Sequence, residues 1–212
     1  MIDNIFIGKQ NAIKIKKENK IIYIDPYKLK GKQEPADIIF ITHSHYDHFS
    51  LKDIEKCKTE STIIIVTKDL EEKVLEFGFD KKNVILVEPN KKYKVLDIKF
   101  STVPAYNLFK SYHPRKNNWV GYIIELEGNK YYIVGDSDVN EDILKVKCDV
   151  LFVPIGGKYT MNYIEAVGFT NKIKPKYAIP THYGSFWKGK REGEFFKDLV
   201  KAPTECIIFQ KN

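Results

Sequence analysis

The stretch ITHSHYDHF, residues 41–49, brings together His43, His45, Asp47 and His48. With 5 histidines in 212 residues, a His-x-His-x-Asp-His string arises by chance with a probability on the order of 10⁻⁴. Imidazole is a borderline ligand suited to Zn²⁺ and its neighbours, and a carboxylate adds a hard anionic oxygen. In extended backbone, residues two apart point the same way, so His43 and His45 are expected to chelate one ion. Asp47 and His48, at the turn into a helix expected from Leu51, are expected to face a second. A structural zinc site would want thiolates, and none lies nearby. Cys57, Cys148 and Cys206 show no metal-like spacing and read as reduced, structural thiols.

The remaining histidines fall in loops. His182 lies in AIPTHYG after a short apolar strand, and His113 lies in KSYHPRKNN before Trp119. Either alone reads as an ordinary core or surface residue; beside a dinuclear motif short of ligands, both become ligand candidates. Asp136, in VGDSD, ends an apolar strand, where an unpaired carboxylate costs several kcal/mol. A bridging place between two cations would supply its partner. Asp138 is a candidate for orienting a ligand imidazole. Asp25, in YIDP, has the same candidate role, with a turn-forming Asp before Pro26 as the alternative.

These residues need rigid elements behind them. Ile21–Ile24, Ile38–Ile41, Thr62–Val66, Val84–Val87 and Val150–Val153 are short, β-branched apolar runs and read as buried strands. Val95–Thr102 and Trp119–Leu126 alternate and read as half-exposed strands. Helices are expected at Leu51–Cys57, Leu70–Phe77, Met161–Lys172 and Glu194–Lys201, the first with Ser50 as N-cap. The segment ending at Asp25 and the segment ending at Asp136 run alike: hairpin, apolar strand, acidic residue, connector, apolar strand, loop. That echo reads as one domain, residues 1–212, of two pseudo-duplicated halves with their loops gathered at one sheet edge.

The composition, 43% hydrophobic and 30% charged, supports a packed core. No window approaches the ~18 apolar residues of a membrane span, and the first residues lack the pattern of an export signal, so a cytoplasmic protein is expected. Lys plus Arg is 35 against 28 for Asp plus Glu, a net +7. The lysines are dispersed, which disfavours a nucleic-acid footprint and suits a small anionic substrate equally well. A homo-oligomer is compatible with everything in the sequence.

The words THSHYDH, VGDSD and PTHYG, in this order and with this wide spacing, resemble the metallo-β-lactamase-fold superfamily of metal-dependent hydrolases. YIDP, VPAYN, HPRKNNWVGYIIE and DVLFVPIGGKYTM are most similar to its small stand-alone branch, which includes L-ascorbate-6-phosphate lactonase-like proteins. The resemblance covers nearly the whole chain. It implies an α+β fold, a four-layer αββα sandwich, and two divalent ions, Zn²⁺ with Mn²⁺ or Fe²⁺ as alternatives. It implies His43, His45, Asp47, His48, Asp136 and His182 as ligands. One departure stands out: where the family places a third His, often as Ala-x-His, this chain has Asn107. His113, six residues on, is the replacement candidate, with Asn107 left to contact substrate or fix the loop.

The chemistry this implies is attack by a metal-bridged hydroxide on a carbonyl carbon or phosphorus, with Asp47 or Asp136 taking a proton. The expected substrate is a small anionic ester, lactone or phosphodiester. In the loop Pro154–Met161, Gly156, Gly157, Lys158 and Thr160 are candidates for holding its anion through N–H groups and side chains. The alternative is a plain strand-to-helix loop. A nuclease of the same fold, a non-hydrolytic metal or redox module, and a thioester hydrolase are the competing functions.

Overall fold

The computed structural model describes residues 1–184 and 191–209. They fall into two compact units, residues 2–88 and the stretch that begins at Pro89. Among the described residues, the first unit is built on a mixed sheet of β1 (Ile5–Ile7), β2 (Ile13–Lys17), β3 (Lys20–Ile24), β4 (Ile38–Phe40), β5 (Ile63–Thr67) and β6 (Val84–Val87), in that order. The β1–β2 and β2–β3 pairs are antiparallel; from β3 to β6 the pairing is parallel. Parallel strands are buried on both faces and so read as unbroken apolar runs; all of Ile38–Phe40 is buried, as that rule requires. One face packs Ile39, Ile41, Ile64 and Val66 against Ile54 of α1 (Leu51–Ile54) and Val74 of α2 (Glu71–Glu76).

The second unit holds β7 (Lys92–Val95), β8 (Ile98–Pro104), β9 (Val120–Leu126), β10 (Asn129–Ile133), β11 (Val150–Pro154), β12 (Tyr177–Thr181) and β13 (Glu205–Cys206). Its sheet runs β13-β12-β11-β10-β9-β8-β7. Leu151, Val153 and Ala178 pack against Ala166 and Phe169 of α3 (Tyr163–Ile173) and Phe196 of α4 (Arg191–Leu199). Asn162 and Glu165 close a capping box at the start of α3, two residues later than the sequence pattern places it.

The internal echo is real in topology. In the first unit the hairpin β2–β3 pairs onward in parallel with β4; in the second the hairpin β9–β10 pairs onward in parallel with β11. Asp25 follows β3 directly and Asp136 follows β10 after two residues. Three hairpins turn on two residues with positive φ: Glu18–Asn19, Leu96–Asp97 and Glu127–Gly128. This backbone twist matches that of the flanking strands. The second of these corrects the reading of Val95–Thr102 as one strand: Leu96 and Asp97 form the turn, and Val95 pairs with Ile98.

Ser50 sits at the N-cap of α1, but its hydroxyl donates to the Asp53 carboxylate rather than capping a backbone N–H. Asp53 is the hub: it also accepts from Lys28 N, Leu29 N and Lys56 Nζ at 2.8–3.0 Å. Burial pushes its carboxyl pKa up, but these hydrogen bonds outweigh burial and hold it below the ordinary value. The folded pKa is thus depressed. The contribution is present above the unfolded pKa of roughly 4 and is lost as pH falls through the folded value. Asp53→Asn is expected to lower unfolding free energy by about 1–3 kcal/mol at pH 7. The difference should shrink as pH falls below the unfolded value, as read by urea titrations of both proteins.

Candidate metal centre

In the first unit, the buried Asp25 carboxylate organises the His motif. Its Oδ1 accepts from Thr42 N at 2.8 Å; its Oδ2 accepts from the Thr42 hydroxyl at 2.7 Å and Asn11 Nδ2 at 2.8 Å. His48 Nδ1 lies 2.8 Å from the same Oδ2. With its own proton given to Asp25, the Thr42 oxygen is an acceptor for His43 Nδ1, 3.0 Å away. The ring protons of His43 and His48 are therefore fixed on Nδ1, and Nε2 of each is left as the metal-binding nitrogen. Asp25 thus takes the orienting role; it is no ordinary turn residue before Pro26.

His43 Nε2 approaches His45 Nδ1 to 3.1 Å, with the rings nearly perpendicular at 79°. Two nitrogens bound to one Zn²⁺ at about 2.0–2.1 Å lie about 3.3 Å apart in a tetrahedron, so this pair fits one edge. The backbone reverses directly after: His48 N and Phe49 N both donate to His45 O, at 3.0 and 2.8 Å. Asp47 is placed on that turn, and Gln10 Nε2 donates to its Oδ2 at 2.9 Å.

In the second unit a buried carboxylate lies against two imidazoles. Asp136 Oδ2 lies 3.2 Å from His182 Nε2 and 3.4 Å from His113 Nε2, all three side chains being buried. Each separation is that of two donor atoms that can share a cation. Trp119 packs edge-on against the His113 ring at 5.6 Å. Asn107, where the resembling family has a third His, is buried, and its Oδ1 has no hydrogen-bond partner among the described residues. Its Nδ2 donates to Tyr159 O at 2.7 Å and sits 3.2 Å from His113 Nδ1. All seven ligand candidates belong to groups of His and carboxylate side chains able to hold a metal ion.

Three expectations need correction. Asp138 orients no imidazole: its carboxylate accepts from Leu108 N at 3.0 Å and pairs with Lys110 Nζ, pinning the loop after Asn107. Gly157 N and Lys158 N are spent on Met161 O and Gly156 O, both at 3.0 Å, so they are not offered to an anion. Thr160 is buried and its hydroxyl donates to Met161 O. Lys158 stays exposed, its Nζ 5.0 Å from the Tyr159 ring centre. Gly156 serves by having no side chain: a Cβ there would run into the His182 carbonyl oxygen and sit 3.3 Å from His182 Nδ1. Gly193 of α4 does the same for Tyr183, whose hydroxyl would lie 2.6 Å from an added Cβ.

Gln10, Asn11, Thr42 and Lys110 carry positioning roles that the sequence does not announce. GKQNA reads as a plain turn, and only the left-handed φ of 52° at Gln10 and the burial of Asn11 mark it. The thiols stand apart from this chemistry. Burial, with a nearby carboxylate, pushes Cys57 and Cys148 up to about 12; burial alone does so for Cys206 against the pull of Lys197. They stay protonated at neutral pH.

A profile described as Beta-lactamase superfamily domain matches residues 5–182. A UPF0173 metal-dependent hydrolase of Thermococcus onnurineus (strain NA1) is 30% identical over 205 residues, covering 91% of this chain and 90% of that protein. A crystal structure from Parabacteroides distasonis ATCC 8503, of a protein assigned as a metal-dependent hydrolase, superposes with a TM-score of 0.85 at 28% identity, covering 98% and 93%. The metallo-β-lactamase fold protein YhfI of Bacillus subtilis shares the fold at a TM-score of 0.72 and 12% identity, covering 96% and 90%.

Gly156→Ala is expected to displace His182 and lower bound metal and any hydrolytic activity by about tenfold or more, with the circular dichroism spectrum unchanged. Parallel metal analysis of His113→Ala and Asn107→Ala should show a large loss for the first and a smaller one for the second.

Proposed function

The chain belongs to the beta-lactamase superfamily as a metal-dependent hydrolase, and on that premise we propose that it cleaves a small anionic ester, lactone or phosphodiester with the help of two divalent cations. Zn²⁺ is the ion we assign, because the ligand groups are rich in imidazole; Mn²⁺ and Fe²⁺ suit the same donors less well. The observation that carries the reading is the buried relay from Asp25 through Thr42 to His43 and directly to His48. A neutral core histidine has no need of two protons fixed on Nδ1. A pair of imidazoles held ready to donate Nε2 lone pairs does.

Bound divalent cations supply Lewis acidity and a water that ionises near neutral pH. The residues of this chain hold and orient. His43, His45, Asp47 and His48 are assigned as ligands from the first unit, and Asp136, His113 and His182 from the second. Hydrolysis joins the water oxygen to the acyl carbon or phosphorus and breaks the bond to the leaving oxygen. A water proton ends on that oxygen. Asp47, steadied by Gln10, is the group we assign to carry it, with Asp136 as the buried carboxylate between two imidazoles. Lys158, exposed and positively charged, favours an anionic substrate by its field.

The test is metal analysis of the purified protein together with assays on a lactone, a bis-aryl phosphodiester and RNA. Chelation should abolish hydrolysis and Zn²⁺ should restore it. His45→Ala is expected to lose bound metal and more than about 100-fold in kcat/KM, and Asp25→Asn to lose 10- to 100-fold in metal affinity, roughly the range for a residue behind a ligand. Hydrolysis that survives metal removal sinks the proposal; hydrolysis of RNA alone turns it towards the nuclease.

A further inference from the structure

The turn between β1 and β2 reaches two carboxylates of the first unit, the one behind the His motif and the one within it. Ile7 pairs with Ile13, so residues 8–12, GKQNA, make the connection. Gly8 N donates to Ala12 O at 2.7 Å and Ala12 N to Lys9 O at 2.9 Å, which closes the turn on itself. Two neighbouring amides leave it for acids farther along the chain. Asn11 Nδ2 donates to Asp25 Oδ2 at 2.8 Å, and Gln10 Nε2 to Asp47 Oδ2 at 2.9 Å.

Neither amide is what a turn alone would select. Gln10 has a φ of 52°, in the left-handed region that glycine and asparagine adopt most readily. An asparagine stands one residue on, yet the longer side chain takes the strained place and is only 7% exposed. Asn11 is 1% exposed, and among the described residues its Oδ1 has no hydrogen-bond partner. A buried amide with an unmatched acceptor gives up stability, which the bond from its other end must offset. Backbone strain and an unmatched polar atom, side by side in one turn, point to what the turn holds.

Resting on the hydrolase reading, in which Asp47 is a cation ligand, we infer that Gln10 is a positioning residue. Asn11 anchors the turn on Asp25, and from that anchor Gln10 fixes the Asp47 carboxylate for the cation. A carboxylate that the ion itself must order loses rotamer freedom on binding; one already held loses less. Asp25, which orients His43 and His48, and Asp47 are thereby tied to one short piece of chain. That tie sets the ligand oxygen of the motif against its ligand nitrogens.

Gln10→Gly and Gln10→Met separate this role from a merely structural one. Glycine relieves the backbone, methionine keeps the length of the side chain, and both lack the N–H. Calorimetric titration of the metal-free protein with Zn²⁺ should show each variant binding about tenfold or more weakly. The urea midpoint of the metal-free protein should be no lower in Gln10→Gly than in the unaltered protein. In an Asp47→Ala background, Gln10→Met should change the affinity less than about twofold, because its effect runs through that carboxylate. Affinity unmoved in both variants, a midpoint that falls with affinity in both, or a loss that simply adds to that of Asp47→Ala would each overturn the inference. An unaltered protein that takes up no Zn²⁺ would overturn the hydrolase reading as well; one that takes it up and is indifferent to Gln10 overturns this inference alone.

Discussion

The chemistry of the first unit turns on the Asp25 carboxylate. It is fully buried, and a lone ionised carboxylate in that place would be ruinous. Four groups satisfy it: Thr42 N, Thr42 Oγ1, Asn11 Nδ2 and His48 Nδ1. Three of those bonds also act on the His motif. The two from Thr42 lock the start of the loop onto the end of β3. The one to His48 sets its tautomer, and the polarised hydroxyl sets that of His43. Removing the negative charge would loosen all of them together, because they share two oxygen atoms.

The sheet explains why these residues meet. Chains leaving the carboxyl ends of parallel strands open into loops where side chains can gather. In the first unit β3 delivers Asp25 and β4 delivers the His motif; in the second β10 delivers Asp136 and β12 delivers His182. Three of these exits pass through a left-handed residue: Asp25 at φ 44°, Gly135 at φ 71° and His182 at φ 54°. Such backbone is disfavoured for residues other than glycine, though Asp and His tolerate it best. Its recurrence beside ligand residues is what strain kept for a functional site looks like.

Much of this was legible in the sequence, for identifiable reasons. The His-x-His-x-Asp-His string is local and rare, and the apolar runs before it are too short for helices, so motif and strand announced each other. Asp136 and His182 drew notice as a carboxylate and an imidazole after apolar strands only because the His motif was short of ligands. What could not be read was whatever depends on partners distant in the chain. Asp138 and Asp25 both look like acids at strand ends, yet one ties down a loop and the other orients imidazoles. Leu96–Asp97 lacks glycine and asparagine, so its turn is hidden inside an alternating pattern. Gly157 looked like an anion cradle because nothing in the local sequence shows that Met161 O claims its N–H.

The Asn107–His113 segment has a consequence for how this protein can diverge. Its ends are tied to the machinery, by the Asn107–His113 backbone bond and by Asp138, while Phe109 at its crest touches little. Residues at the crest are therefore open to mutation without disturbing the hydrogen bonds at its base. Sequence drift can therefore gather at the exposed crest while the tied base of the segment is inherited intact.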